Sequence, residues 1–250
     1  MTHPFRFGVQ VGGPLGAREF ADLARRIEGL GYSTLYMPDH FVETDLAPMV
    51  GLSVAAAVTT TLRVSALVFA NDYKHPAVLA KEMATLDVLS EGRVDLGIGA
   101  GWMQVDYEQL GMPYDRPGVR IDRLEEALAV IRGCWSGQAF SFSGAHYSIT
   151  DHRATPVPVQ QPGPPILIGG GGGQYGTSAS HGRHQRQAGS GGTVHRGTHK
   201  DHPPFILHFP MRLMGQHGGK AGCHAVHQTC ELVLSVYDDA EIRSEERRVG

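Results

Sequence analysis

The chain has 250 residues, a formal net charge of -3 and 41% hydrophobic residues. This balance predicts no basic surface for nucleic acid, and the three cysteines are too few for a disulfide framework. No apolar run reaches the roughly 18–20 residues that span a bilayer, and no signal peptide pattern precedes the first strand, so we expect a cytoplasmic protein without membrane contact.

Strand and helix patterns alternate through residues 1–172. In chain order they predict a strand at 5–11, a helix at 20–30, a strand at 34–37, a helix at 48–60, a strand at 63–69, a helix at 76–86, a strand at 94–98, a helix at 121–135, a hairpin at 140–149 and a strand at 165–169. Gly31 stands where a glycine commonly ends a helix, and Pro76 stands in the first turn of one.

The strands recur about every 30 residues with helices between them, which indicates βαβ units and a parallel sheet. Two α/β arrangements remain open. A doubly wound sheet needs about five or six strands, whereas a barrel needs eight and typically takes about 250 residues. Periodicity alone does not choose between them.

Asp39 and His40 follow the apolar strand at 34–37. At the C-terminal end of a barrel strand, a charged pair faces the active-site mouth, and a carboxylate can hold a neighbouring imidazole in one tautomer. The alternative is an Asp at a helix start followed by a loop histidine. Asn71 ends the next strand, where its amide can both donate to and accept from a heterocycle, or can serve as an ordinary turn residue.

Glycines follow the later strands. Gly97, Gly99 and Gly101 precede Trp102, whose ring could face a flat ligand. The spacing G-x-G-x-G after the fourth strand differs from the dinucleotide fingerprint, and tight strand packing is the alternative explanation. Gly170 and Gly171 follow the fifth strand, where successive backbone N–H groups can bind a phosphate.

Residues 173–250 have a different composition, with nine of the fourteen histidines. They lack periodicity, so we expect a low-order tail rich in His, Gly and Arg that does not pack on residues 1–172. Only 205–213 and 231–237 are apolar enough to form isolated elements. A shift of reading frame near residue 172 explains the change better than a metal site at Cys223, His224, His227 and Cys230, so we predict no metal.

Six motifs occur together in residues 5–172. They are M-P-D-H-F at 37–41, A-N-D at 70–72, H-P-A-V-L-A-K-E at 75–82, T-L-D-V-L-S-E-G-R at 85–93, L-G-I-G-A-G-W at 96–102 and P-I-L-I-G-G-G-G at 165–172. In this combination the chain resembles the luciferase-like monooxygenase superfamily, specifically its F420-dependent oxidoreductases. The resemblance implies a TIM (β/α)8 barrel, which here is truncated after about five βα units because the later units of the family are not visible.

The resemblance also implies roles for particular residues. Asp39 and His40 would lie beside the deazaflavin ring, with His40 as proton donor or acceptor. Ala70 and Asn71 would line the ring, with unusual peptide geometry nearby. The loop of Gly99, Ala100, Gly101 and Trp102 would face the cofactor.

The leading hypothesis is therefore an F420-dependent oxidoreductase that transfers a hydride between the cofactor and an unknown small organic substrate. One alternative is an FMN-dependent monooxygenase on the same barrel, which oxygen uptake would distinguish. Another is an inactive truncated product. An intact barrel could form a homodimer.

Overall fold

The computed structural model describes residues 6–13, 15–42, 44–169, 208–211 and 230–235, the last two ranges as backbone strands. The strands are β1 Arg6–Val11, β2 Thr34–Met37, β3 Arg63–Ala66, β4 Phe69–Ala70, β5 Leu96–Gly99, β6 Phe140–Ser143, β7 Ser148–His152, β8 Ile166–Gly169, β9 His208–Met211 and β10 Cys230–Ser235. The helices are α1 Ala17–Gly29, α2 Pro48–Val58, α3 Pro76–Leu89, α4 Gln104–Leu110 and α5 Pro117–Trp135, with a 3-10 turn at Asn71–Tyr73.

Helix boundaries follow the local sequence signals. The face of α1 that packs inward carries Phe20, Ala24 and Ile27. Gly31 adopts a φ of +82° just after α1, which confirms its predicted place at the helix end. Pro76 begins α3, and the side chain of His75 caps that helix by accepting a backbone N–H. Among the described residues, no helix is both long and apolar enough to cross a membrane.

The strands form two main sheets. One has the order β3-β2-β1-β10-β9, and the other has the order β4-β5-β8. An isolated parallel bridge between Val64 and Val94 joins β3 to the start of the β5 segment. β1, β2 and β3 are mutually parallel, as are β4, β5 and β8. The predicted α/β class is confirmed, but no pair among the described strands closes the sheet into a barrel.

The interior is apolar and tightly packed between these strands and helices. Its buried strand residues include Val9, Val11, Leu35, Met37, Val64, Ala66, Leu96 and Ile98. Gly97 permits a close approach of two strands, since a Cβ there would lie 2.0 Å from the Ala66 carbonyl oxygen. This packing brings the C-terminal ends of β2, β4 and β5 to one edge of the sheet, where the candidate residues lie.

The structure corrects two of the sequence expectations in this part of the chain. The strand predicted at 63–69 is divided at Leu67–Val68, whose peptide bond is cis. Its halves have different partners, since β3 pairs with β2 and β4 pairs with β5. No element was predicted between the strand at 94–98 and the helix at 121–135, but this segment contains the seven-residue helix α4.

The expectation that the tail stays apart from residues 1–172 is wrong for one strand. β10 pairs antiparallel with β1, from Arg6 with Ser235 to Val11 with Cys230, and β9 pairs with β10. Both overlap the two apolar stretches of the tail. Pairing satisfies backbone groups along β1 that an open edge would leave unpaired. The rest of residues 173–250, which includes Cys223, His224 and His227, lies outside the described residues.

Candidate functional site

The centre of the site is a contact between His40 and Asp106. His40 follows β2, and its Nδ1 lies 2.9 Å from Asp106 Oδ2. Asp106 lies in the first turn of α4, and its side chain is 0% exposed, while that of His40 is 20% exposed. A buried carboxylate and a partly accessible imidazole therefore meet at the C-terminal ends of the parallel strands.

Asp106 has hydrogen bonds to both of its oxygens. Oδ1 accepts from the backbone N–H groups of Phe41 and Val42, each at 3.0 Å. Oδ2 accepts from the Tyr73 hydroxyl at 2.9 Å in addition to contacting His40. Burial acts to raise the pKa of Asp106, but these hydrogen bonds outweigh burial and hold its pKa below the ordinary value.

The ionised state of Asp106 determines the role of each ring nitrogen of His40. A carboxylate only accepts hydrogen bonds, so His40 Nδ1 carries a proton and donates it to Asp106. In the neutral imidazole, Nε2 is then the unprotonated nitrogen. Burial, together with the hydrogen bond to Asp106, raises the pKa of Tyr73, which keeps that hydroxyl a neutral donor.

Asp39 has a different environment from Asp106. Its Oδ2 accepts from the Ala70 backbone N–H at 3.0 Å, which ties the end of β2 to the end of β4. Burial raises the pKa of Asp39 despite this hydrogen bond. The interpretation that Asp39 orients the His40 ring is therefore wrong, because Asp106 makes that contact and Asp39 binds a neighbouring strand.

Asn71 is buried immediately after β4, and Tyr147 reaches it from the β6–β7 hairpin. The Asn71 Nδ2 donates to the Tyr147 hydroxyl at 3.3 Å. The tip of the hairpin is fixed by Glu126 of α5, whose carboxylate accepts from the backbone N–H groups of Ala145, His146 and Tyr147. The hairpin therefore contributes a hydroxyl to the site, at a position that the sequence patterns did not indicate.

The glycines after β5 are accounted for by close packing. A Cβ on Gly99 would lie 3.0 Å from Val68 Cγ2. Gly101 has a φ of +77°, and a Cβ there would lie 2.0 Å from the Tyr107 hydroxyl oxygen. The alternative of tight packing is confirmed for these two positions, and contact with a cofactor stays a prediction.

Trp102 follows these glycines and contacts His40 directly. The two ring centroids are 5.5 Å apart with an interplanar angle of 82°, an edge-to-face arrangement. Trp102 is nevertheless 66% exposed. Its indole thus offers a large apolar surface to a ligand beside the imidazole.

A second cluster of polar residues joins the helices next to the site. Asp72 Oδ1 lies 2.8 Å from Arg123 Nη1, and Asp72 Oδ2 accepts from the Tyr107 hydroxyl at 3.1 Å. Arg123 also pairs with Asp115. These contacts join the 3-10 turn, α4 and α5, so they fix the helix that carries Asp106.

The structure brings together most of the predicted site residues that it describes. Ala70 contacts Asp39, and Trp102 contacts His40. Asn71 directly follows Ala70, and Ala100 lies two residues before Trp102. Gly170 and Gly171 lie outside the described residues.

Sequence reasoning missed Asp106, Tyr73 and Tyr147, whose contacts with the site cross long stretches of chain. Among the described residues, no group of three or more His, Cys, Asp or Glu side chains could hold a metal ion.

Comparison with known proteins places this site in a family context. The sequence model described as luciferase-like monooxygenase matches residues 1–182 of this chain. The chain is 30% identical over 181 residues to an F420-dependent glucose-6-phosphate dehydrogenase of Microbacterium testaceum. The match covers 69% of this chain and 53% of that protein. It is 33% identical over 114 residues to an FMNH(2)-dependent dimethylsulfone monooxygenase of Pseudomonas putida. That match covers 46% of this chain and 31% of that protein.

A solved structure shares the fold. The coenzyme F420 dependent tetrahydromethanopterin reductase from Methanopyrus kandleri matches with a TM-score of 0.61 at 20% identity, over 67% of this chain and 51% of that chain. At this level of identity the likeness concerns the fold alone. The chain spans about half the length of the curated relatives it matches, 58% and 53% of two of them.

Proposed function

We propose that this chain, which belongs to the luciferase-like monooxygenase family, is an oxidoreductase that uses coenzyme F420 and moves a proton through His40. The observation that carries the proposal is the contact of His40 with the buried Asp106, at 2.9 Å, where the parallel strands end. Family membership supports a flavin or deazaflavin cofactor, and the longer match to an F420-dependent relative favours the deazaflavin.

The donors and acceptors at this edge of the sheet suit a flat polar heterocycle. The residues that would hold it are Asp39, His40, Ala70, Asn71, Gly99, Ala100, Gly101, Trp102, Gly170 and Gly171. Asn71 offers a carboxamide, and its orientation is set by the hydrogen bond to Tyr147. When bound, the deazaflavin supplies hydride chemistry, which protein side chains lack.

The chain itself supplies proton transfer and orientation. Asp106 holds Nδ1 of His40 as the donor, so Nε2 is the atom at which a proton is accepted from, or returned to, a substrate oxygen. An ionised Asp106 also stabilises the imidazolium that forms when Nε2 is protonated. Asp39, whose pKa is raised by burial, is a second candidate proton carrier beside the ring.

The runner-up is an FMN-dependent monooxygenase built on the same side chains. It is supported by the 33% identity to the FMNH(2)-dependent relative over 114 residues. The same His40 and Asp106 contact would serve proton transfer in either case. The small-molecule substrate stays open, and a homodimer remains an expectation for an intact barrel.

Fluorescence titration of the purified chain with F420 and with FMN tests the proposal. We expect saturable binding of both rings or of F420 alone, with F420 bound more tightly. Tighter FMN binding, together with oxygen consumption by the reduced complex, would assign the chain to the monooxygenase branch. No binding of either ring would contradict the proposed function of this chain.

A further inference from the structure

Trp102 combines high exposure with an unusually well-fixed backbone. A large apolar surface in water is unfavourable, at roughly 25 cal/mol for each Å² of apolar area. Trp102 is 66% exposed, yet hydrogen bonds from side chains hold both its own carbonyl and that of the preceding residue. An exposed aromatic side chain on a fixed backbone is a feature of binding sites.

Tyr114, from the segment between α4 and α5, and Arg120, from the first turn of α5, hold this backbone. Arg120 Nη1 donates to the Gly101 carbonyl at 2.7 Å, and the Tyr114 hydroxyl donates to the Trp102 carbonyl at 3.0 Å. The guanidinium carbon of Arg120 lies 4.1 Å from the centroid of the Tyr114 ring. We call this pair, Arg120 and Tyr114, the clamp. Because its members contact each other, they act on two consecutive carbonyls together.

The burial of Arg120 is costly for the fold. Arg120 is 5% exposed, and its Nε has no partner among the described residues. None of the ion pairs in the described part of the chain includes it, whereas Arg123 pairs with both Asp72 and Asp115. A buried cation that lacks a carboxylate partner destabilises a fold unless other contacts offset it. The contacts that offset this cost are with the Gly101 carbonyl and the Tyr114 ring, so Arg120 is held at the loop that carries Trp102.

Tyr107 contacts the same loop. Gly101 has a φ of +77°, and the Tyr107 hydroxyl lies against its α-carbon, where no side chain would fit. Tyr107 and Tyr114 are themselves in ring contact, with centroids 4.9 Å apart. The clamp and Tyr107 thus form one cluster against the loop, and the Trp102 ring contacts the His40 ring edge-to-face.

We propose that Arg120 and Tyr114 are positioning residues that hold Trp102 as an aromatic wall of the ligand site beside His40, for a flat heteroaromatic ring. The part concerning the ring rests on the proposed function. The part concerning the clamp does not, since it is a property of the ligand-free chain. The two parts can therefore be tested separately.

The clamp is tested by the local motion of Trp102 in the ligand-free protein. The chain has two tryptophans, and the other, Trp135, is 3% exposed, so acrylamide quenches mainly Trp102. Trp102→Phe should remove the quenchable emission and so verify the assignment. Arg120→Met and Tyr114→Phe should increase the fast component of the Trp102 anisotropy decay and its acrylamide quenching. Unchanged motion in both variants would overturn the proposal.

Controls separate positioning from folding. Arg120→Lys keeps a donor that can reach the Gly101 carbonyl and should restore most of the wild-type anisotropy, even if Arg120→Met folds poorly. Arg132→Met removes an exposed arginine from the same helix and should leave Trp102 unaffected. Two results would contradict the role of the clamp. One is that Arg132→Met increases Trp102 motion as much as the clamp variants do. The other is that Arg120→Lys increases Trp102 motion as much as Tyr114→Phe does.

The wall is tested by titration with F420 and FMN. Trp102→Ala should weaken ring binding by about tenfold, the size expected for loss of an aromatic contact. Tyr114→Phe should also weaken ring binding, because Trp102 is then held less firmly. If Trp102 moves more in a variant but the affinity for both rings is unchanged, the proposal that Trp102 forms a wall of the ligand site is wrong. If the wild-type chain binds neither ring, the proposed function fails, while the anisotropy of the ligand-free variants still decides the clamp.

Discussion

His40 Nδ1 and Asp106 Oδ2 lie 2.9 Å apart although 66 residues separate them in the chain. Asp39, the immediate neighbour of His40, instead accepts from the backbone of Ala70. The two carboxylates therefore have opposite environments: hydrogen bonds lower the pKa of Asp106, and burial raises the pKa of Asp39. This difference predicts opposite effects when each carboxylate is replaced by an amide.

Asp106→Asn should destabilise the protein by about 1–3 kcal/mol at pH 7, because the amide replaces a charged acceptor of several hydrogen bonds. Since the pKa of Asp106 is lowered on folding, its contribution is present above the unfolded-state pKa of about 3.9 and is lost as the pH falls through the folded-state pKa. Urea unfolding at pH 7 and in acid measures this. Asp122→Asn, an exposed site on α5, is the control. A loss that does not shrink in acid would contradict the assignment.

Asp39→Asn should have the opposite sign and raise the melting temperature at pH 7 by roughly 2–4 °C. The pKa of Asp39 is raised on folding, so its contribution is present below the unfolded-state pKa and is lost as the pH rises through the folded-state pKa. The amide oxygen can still accept from Ala70. The measurement is thermal unfolding of wild type and Asp39→Asn from below the unfolded-state pKa of Asp39 up to pH 7. A lower melting temperature for the variant at pH 7 would show that burial of the ionised Asp39 does not destabilise the fold.

His40→Ala should lower turnover by about 10²–10⁴-fold while leaving cofactor affinity within about threefold, because loss of a positioned acid–base group acts on the chemical step. Steady-state kinetics with a substrate of the wild-type enzyme, alongside cofactor titration, separates the two effects. His152→Ala on the exposed strand β7 is the matched control. Equal turnover in His40→Ala and wild type would make His40 a structural loop residue.

The end of the sheet opposite the site contains a different carboxylate, Glu28. Its Oε1 accepts from the backbone N–H groups of Thr60, Thr61 and Leu62, and these bonds outweigh burial to lower the pKa of Glu28 to about 2. Glu28→Ala should cost about 1 kcal/mol, as the loss of a helix cap does. Chemical denaturation should show the full difference in unfolding free energy between wild type and Glu28→Ala above pH 4.5. This difference should disappear as the pH falls toward 2.

An exposed acidic residue provides the control for Glu28. Asp45→Ala removes a carboxylate that accepts no such set of backbone groups in the described part of the chain. Its effect on unfolding should be small at every pH. If Glu28→Ala and Asp45→Ala behave alike, the three backbone contacts of Glu28 do not stabilise the fold.

Glu126→Ala should loosen the hairpin tip that carries Tyr147. The carboxylate accepts from Ala145 at 2.7 Å and from His146 at 2.8 Å, so the backbone N–H groups there should exchange faster with solvent in the variant. Hydrogen exchange followed by mass spectrometry measures this, with Glu125→Ala on the same helix as control. Equal protection in the two variants would mean that the tip is held by other contacts.

Local patterns in the sequence predict much of the fold. The strand at 34–37 is confirmed as β2, and the predicted start of α3 at Pro76 is confirmed by its cap. The resemblance to the luciferase-like family is confirmed by the match to residues 1–182. The strand and the helix start depend on short-range periodicity and capping, which a single sequence carries directly.

The acidic partner of His40 was not predictable in the same way. Asp106 lies on α4, which has only seven residues and too few apolar positions to show a helical period. One usable signal was Gly111, a left-handed residue that ends this helix at a φ of +67°. The contact itself depends on how α4 packs against the end of β2, which no local pattern encodes.

The most direct test is the tautomer of His40, read from the two-bond ¹⁵N–¹H correlations of its ring in the ¹⁵N-labelled protein at a pH where the ring is neutral. A buried, ionised Asp106 requires the Nδ1–H tautomer, with Nε2 unprotonated and free to accept a proton. Asp106→Asn should shift the ring toward the Nε2–H tautomer, because the amide can donate to Nδ1. An Nε2–H tautomer in the wild-type protein would contradict the role assigned to Asp106, and with it the proton path through His40.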